Sequence, residues 1–350
     1  MIERFSNVAL ELGQLILFGK SSKQRLNQNL IFWFSILFKL AISGGAIYYI
    51  IIRLFEYETN LSVSEFLVNQ FSPAQFLWFA AIAITLMAAN WGVEILKWHH
   101  LLSNEFNTRF RTAIKGVLSG TTFGVFTPNR TGEFIGRVLA VQGKNRVGAT
   151  VLSFVNSLSQ TLATLSFGII GLVYLIEVLA LEDIGLIASR LTQMILIAFW
   201  AIMVMLYFKI GRLHALTSGN RIFGKLAKHL NVLTEVSVSS LNRLFLLSIF
   251  RFLTFIAQYL LVFGLLYPEA NFIQIGSLAI LTMFSTMVFS MLPVPDLLMR
   301  EAMALSYFGL FNFDLILVSK AVFLVWCFNV AIPALIGAIV LLTHRIFRSA

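Results

Sequence analysis

Six runs of about 20 or more predominantly apolar residues recur along the chain: Leu30 to Ile52, Ala74 to Lys97, Ala149 to Ile176, Leu186 to Phe208, Arg243 to Leu266 and Leu315 to Leu342. At 1.5 Å rise per residue, each is long enough as a helix to cross a hydrocarbon core of about 30 Å. Composition agrees: 58% of the 350 residues are hydrophobic and 12% are charged, which excludes a soluble domain. The single cysteine, Cys327, lies inside the last run, so a disulfide framework and a cysteine-based metal site are excluded. The roughly 29 residues ahead of the first run are charged and amphipathic and do not resemble a cleavable signal peptide, so the first helix is expected to stay in the mature protein.

Two further apolar stretches are too short to cross. Ala113 to Phe126 spans only about 21 Å as a helix before Thr127-Pro128-Asn129 interrupts it. Leu297 to Leu310 follows Leu292-Pro293-Val294-Pro295-Asp296. Proline removes a backbone donor and clashes with the preceding turn, so both places are expected to be breaks. Broken backbone at membrane depth is tolerated only where protein or a watery cavity surrounds it.

The distribution of charge sets an expected orientation, because lysine and arginine concentrate in cytoplasmic loops. Basic residues crowd the N-terminal segment (Arg4, Lys20, Lys23, Arg25), the stretch from Lys97 to Lys115, Arg137 to Arg146, Lys209 to Arg243, and the tail at Arg345 and Arg348. Acids occupy the intervening stretches: Glu56, Glu58 and Glu65; Glu177, Glu182 and Asp183; Glu269; and Asp314. Only Arg53 and Arg190 run against this order. The pattern closes with both termini cytoplasmic, six crossings and two re-entrant hairpins. The first, Ala113 to Val141, dips in from the cytoplasm, and the second, Phe272 to Leu310, from outside.

The expected fold class is therefore an all-α polytopic membrane protein of six crossing helices and two broken-helix hairpins. Residues 30–178 then read crossing, crossing, hairpin, crossing, and residues 186–342 repeat that order from the opposite side. Such inverted repeats are typical of secondary transporters, whose paired broken helices form the substrate site near the midplane. The breaks themselves share only a faint pattern, TPNRTGE at 127–133 against PVPDLLMRE at 293–301.

EILKWHHLL, GTTFGVFTPNRTGEFIGRVLA and LPVPDLLMREAMALSYFG, with the final hydrophobic helix after them, together resemble the transmembrane region of lysylphosphatidylglycerol synthases and related flippase-like proteins. The resemblance runs from about residue 30 to 345, and its most specific parts are Pro128 to Glu133 with Arg137, and Arg300-Glu301 after a proline. It implies a bacterial inner-membrane lipid flippase-type domain. Some members carry a cytoplasmic aminoacyl-transferase domain, which is not expected here because eight residues follow Leu342. Where the family commonly has a Glu-Arg pair and an Asp, this chain has Ser153 to Gln160, without a charge. A Gly-rich turn common in the family is replaced by Val294-Pro295-Asp296-Leu297-Leu298.

The candidate substrate-binding residues are Glu94, Asn129, Arg130, Glu133, Arg137, Asp296, Arg300 and Glu301. Intramembrane charges are costly and normally face the bundle interior or water. Glu133 and Arg137, and likewise Asp296 and Arg300, have the i, i+4 spacing that puts both side chains on one helix face. On the functional reading, Arg130 or Arg137 holds a lipid phosphate, to which the guanidinium fork is suited, while Glu133 orients the arginine. On the structural reading, the same pairs hold the hairpins folded and Arg137 reaches the headgroups. Glu301 projects about 100° away from Arg300 and is expected to pair elsewhere, with Arg130 as one option. Glu94 and Lys97, one turn apart with Asn90, form a local ion pair or line the cavity. Arg251 and Lys320 lie deep enough to need partners.

The loop from Lys209 to Asn242 interleaves basic residues with Ile222, Phe223, Leu226, Leu230 and Leu233, as an amphipathic helix on an anionic leaflet would. The expected partner is membrane phospholipid and not nucleic acid; a second copy of the chain or a separate lipid-modifying enzyme stays open. No HExxH, phosphate loop or GxSxG is present, and no cofactor is expected. Three functions fit the residues: a lipid transporter, a transporter of a soluble organic anion, and a membrane-embedded transferase using Glu133 as base, with an enzyme the less favoured.

Overall fold

The computed structural model describes residues 28–70, 72–125, 127, 130–141, 145–179, 186–212, 231–292 and 294–343. The N-terminal segment up to residue 27, Asn129, the basic stretch 213–230 and the tail from residue 344 lie outside the described residues. All regular structure among the described residues is helical.

Helix α1, Gln28–Leu61, is followed by the short α2, Val63–Gln70, and by α3, Pro73–Phe106. Ser72 and Gln75 form a reciprocal capping box at the start of α3, with Pro73 in the first turn, where its missing N–H costs nothing. Two short helices come next, α4 at Phe110–Gly124 and α5 at Gly132–Leu139, and then the long α6, Arg146–Leu179. Beyond it lie α7 at Leu186–Phe208, the single turn α8 at Val232–Glu235, and α9 at Val238–Leu266, capped by the Ser237 hydroxyl. A second pair of shorter helices is α10, Phe272–Val288, and α11, Asp296–Gly309. The last crossing consists of α12, Leu315–Trp326, a π-helical turn at Cys327–Ala331, and α13, Ile332–Thr343. Asp314 caps α12 by accepting from the Ile316 and Leu317 amides.

Six segments are long and apolar enough to cross a membrane: Ile36–Leu61, Pro73–Phe106, Arg146–Val178, Arg190–Phe208, Val238–Leu266 and Leu315–Thr343. These are the six expected runs, with corrected ends. Helix α1 continues past Ile52 because Tyr57 stacks on Phe323, with centroids 4.0 Å apart, and Arg53 is paired with Glu56 at 2.5 Å. Helix α3 continues past Lys97 because Trp98, Leu101 and Leu102 are buried, and it stops where Asn107 turns left-handed. The sixth run is not one α-helix: Pro333 follows the π turn, and the Thr121 and Thr122 hydroxyls of α4 donate across to the Pro333 and Ala334 carbonyls at 3.1 and 3.0 Å.

The first break gives an antiparallel helix pair, with Gly132 beside Phe123 and Gly136 beside Gly120. The approach is close enough that a methyl added at Gly136 would lie 2.4 Å from the Gly120 nitrogen. Helix α13 packs on α4 just as tightly, since a methyl at Gly337 would stand 1.9 Å from the Leu118 carbonyl oxygen. In the other half of the sequence, α10 packs on α6 and on α11, and α3 and α9 pack on each other. The last long helix of each sequence half thus rests against the first short helix of the other.

Two large apolar clusters and a smaller one of Phe123, Leu139 and Leu341 hold this arrangement. One joins α1, α9, α11 and α12 through Tyr57, Phe252, Tyr259, Phe263, Phe308 and Trp326. The other joins α3, α4, α6 and α9 through Trp98, Leu101, Val117, Leu152 and Leu241. Helix α9 belongs to both large clusters and carries Arg251 into the space beside them.

Candidate functional site

Glu94, on α3 and 2% exposed, is the centre of the buried charges. Its Oε1 accepts from Arg137 Nη2 at 2.6 Å and from Asn156 Nδ2 at 2.7 Å. Its Oε2 lies 3.4 Å from Arg251 Nη1 and 3.6 Å from Lys97 Nζ. Helix α5 supplies the second carboxylate. Glu133 Oε1 is 2.5 Å from Arg130 Nη2, and Glu133 Oε2 accepts from Arg137 Nη2 at 3.1 Å, so Arg137 links the two acids.

Arg130 sits in the left-handed region, φ 54°, at the tight turn before α5. A side chain other than glycine there costs of order 1 kcal/mol. The turn is held by the Arg130 N–H donating to the Thr127 carbonyl at 3.1 Å and the Gly132 N–H donating to the Thr127 hydroxyl at 2.9 Å. This conformation brings the guanidinium over the Trp91 ring at 5.7 Å from its centroid; Arg251 lies over the same ring at 5.5 Å. Arg251 also donates to Gln160 Oε1 at 3.4 Å.

On α11, Asp296 and Arg300 form a two-point pair, with Nε to Oδ2 at 2.9 Å and Nη2 to Oδ1 at 3.1 Å. Their helix and the α5 turn face one cavity of about 330 Å³, whose lining includes Glu94, Arg130, Glu133, Arg137, Arg251, Asp296 and Arg300. Residues from both sequence halves therefore share one polar space.

The family model for the lysylphosphatidylglycerol synthase TM region matches residues 36–337, most of the chain. The chain belongs to this family. It is a multi-pass membrane protein with six candidate spans. Comparison with curated proteins and with solved structures found no match.

Within this member of the lysylphosphatidylglycerol synthase TM region family, six of the sequence-derived candidates come together: Glu94, Arg130, Glu133, Arg137, Asp296 and Arg300. Asn129 lies outside the described residues. Glu301 does not line the cavity. One helical position on from Arg300, it points away and accepts from the Tyr57 and Ser319 hydroxyls, not from Arg130. Glu94 is more than half of a local pair, because Lys97 is its most distant cation and Arg137 its nearest.

Asn156 and Gln160 were missed as site residues. They lie in the Ser153 to Gln160 stretch, where the family pattern carries charges, and that departure was the one signal pointing to them. Arg251 was flagged by depth alone; its carboxylate partner is 157 positions away in sequence and invisible to any local rule.

Proposed function

We propose that the chain is a flippase-like transporter that moves an anionic or zwitterionic phospholipid between the leaflets of the bacterial inner membrane. The observation that carries this reading is the 330 Å³ cavity, lined by Arg130, Arg137, Arg251 and Arg300 from both sequence halves, in a chain with six apolar spans. Intramembrane charges of this kind mark substrate pathways. A guanidinium presents a planar fork that pairs with two phosphate oxygens at once. Exposed apolar residues at the cavity rim favour a lipid over a soluble anion: Leu292 lines the cavity and is 49% exposed, and the neighbouring Phe289 is 46% exposed. A transferase with Glu133 as base is the poorer fit, since arginines engage both Glu133 oxygens at 2.5 and 3.1 Å.

The same reading includes two re-entrant hairpins, an inverted repeat of residues 30–178 and 186–342, and cytoplasmic termini. It is supported by the identical order of long and short helices in the two halves and by the reciprocal packing of α13 on α4 and α6 on α10. An inverted repeat brings equivalent elements together in this way. The alternation of basic and acidic stretches supports the orientation.

The test is transport of fluorescent headgroup-labelled phospholipid in reconstituted vesicles. Arg130→Ala and Glu133→Ala are expected to abolish translocation while still inserting and folding. Full transport by both variants refutes the site, and chemical modification of the lipid without translocation refutes the transporter reading in favour of an enzyme.

A further inference from the structure

Among the described residues, the buried charges in and beside the cavity do not balance. Lys97, Arg130, Arg137 and Arg251 form salt bridges with Glu94 and Glu133, and Arg300 pairs with Asp296. Four cations against two carboxylates leave an excess of two positive charges. Lys97 is 0% exposed, Arg137 4% and Arg251 8%, so water does little to screen them. The Gln160 amide oxygen accepts from Arg251 and the Asn156 backbone carbonyl from Lys97, but neither supplies a third negative charge.

Unused donors show where an anion fits. Arg130 and Arg251 lie over one indole ring, that of Trp91, and the Nε of each has no hydrogen-bond partner. Ser153 Oγ, on the same lining, is also unpartnered. Stacking on an aromatic face fixes a guanidinium plane without consuming its N–H groups. Trp91 therefore supports two guanidiniums, one from each sequence half, that both line the cavity and each keep an unpartnered Nε, as Arg137 also does.

We propose that Arg130 and Arg251, steered by Trp91, form a two-arginine seat for a phosphate-type oxyanion, and that the excess positive charge makes this seat select headgroups of net negative charge. The proposal deepens the transport reading above and rests on it for the lipid source of the phosphate. A phosphodiester with no attached amine offsets part of the excess. One bearing an ammonium group brings no net charge, and one bearing a lysyl group adds to the excess. Like charges brought together in a site shielded from water are what suppress the wrong partner.

The experiment titrates the full chain in detergent with dihexanoyl lipids that differ only in headgroup: phosphatidylglycerol, phosphatidylethanolamine and lysylphosphatidylglycerol. Glycerol phosphate serves as the free-anion arm. Calorimetry is expected to show phosphatidylglycerol binding roughly tenfold or more tightly than the lysylated lipid, with phosphatidylethanolamine between them. Arg251→Gln is expected to lose roughly tenfold in phosphatidylglycerol affinity, and Arg251→Lys to bind more weakly while keeping the headgroup order. Trp91→Leu, which keeps both cations but removes their shared support, should weaken binding without reordering the headgroups.

Equal or tighter binding of the lysylated lipid overturns the charge selection, and undiminished affinity in Arg251→Gln and Trp91→Leu overturns the seat. Glycerol phosphate binding as tightly as the lipid upholds the seat and overturns its lipid occupant. If the headgroup order holds but vesicles show no translocation, the seat stands and the transport reading falls. Translocation indifferent to headgroup charge sinks the selection and leaves transport standing.

Discussion

Replacing Glu94 by glutamine removes one charge and turns one acceptor oxygen into a donor, at a carboxylate ringed by four donors. Arg137 and Asn156 approach one oxygen at 2.6 and 2.7 Å, and Arg251 and Lys97 the other at 3.4 and 3.6 Å. Whichever way the amide turns, its NH₂ faces a cation. Lys97 and Arg251 then keep no paired carboxylate among the described residues, because Glu133 bonds only Arg130 and Arg137. Removing one partner of a buried ion pair costs roughly 3–5 kcal/mol. Glu133→Gln, at a side chain 17% exposed on a polar cavity, should cost about 1–2 kcal/mol. Equilibrium unfolding of the purified variants in mixed micelles measures both. The double variant Glu94→Gln/Lys97→Met removes an anion and a cation together and is expected to recover at least half of the loss, as a neutral replacement of a buried pair does. A Glu94→Gln cost below about 1 kcal/mol, or a double variant no more stable than the single one, refutes the view that Glu94 compensates these cations.

Two further substitutions separate backbone from charge. Arg130→Gly relieves the left-handed φ of 54° while deleting the guanidinium, so stability measured by unfolding should hold or rise by up to about 1 kcal/mol while vesicle transport is lost; retained transport counts against the site. Gly337→Ala forces a methyl to 1.9 Å from the Leu118 carbonyl oxygen and should cost about 1–3 kcal/mol through overpacking between α13 and α4; unchanged thermal stability in detergent counts against that contact.

What was legible in the sequence was what local rules govern. Crossing helices are fixed by length and hydropathy, and Glu133 with Arg137 and Asp296 with Arg300 by their spacing on a helix face. Helix ends were misread because tertiary burial decides them: nothing near Tyr57 announces Phe323, and the burial of Leu101 and Leu102 depends on their neighbours in space. The π turn at Cys327–Ala331 was invisible for the same reason, since the hydroxyls that reach the carbonyls just beyond it stand on α4. Helix geometry turned Glu301 away from Arg300 but carried no information on Tyr57 or Ser319, which lie on other helices.

The two shortest contacts of Glu94, to Arg137 and Asn156, stay within residues 30–178, where Lys97 stands farther off at 3.6 Å, and its link to residues 186–342 is the 3.4 Å contact to Arg251. Coulomb attraction falls with distance, and the 3.4 Å contact shares its oxygen with Lys97, so the bond between halves is the weaker side of this hub. An anion seated on Arg251 would compete with that link and leave the short ones untouched. In transporters built from paired repeats, access alternates by the movement of one repeat against the other. On the transport reading proposed above, occupancy of the seat would act on the contact between the halves, whereas a seat on Arg137 would oppose a 2.6 Å bond within one half.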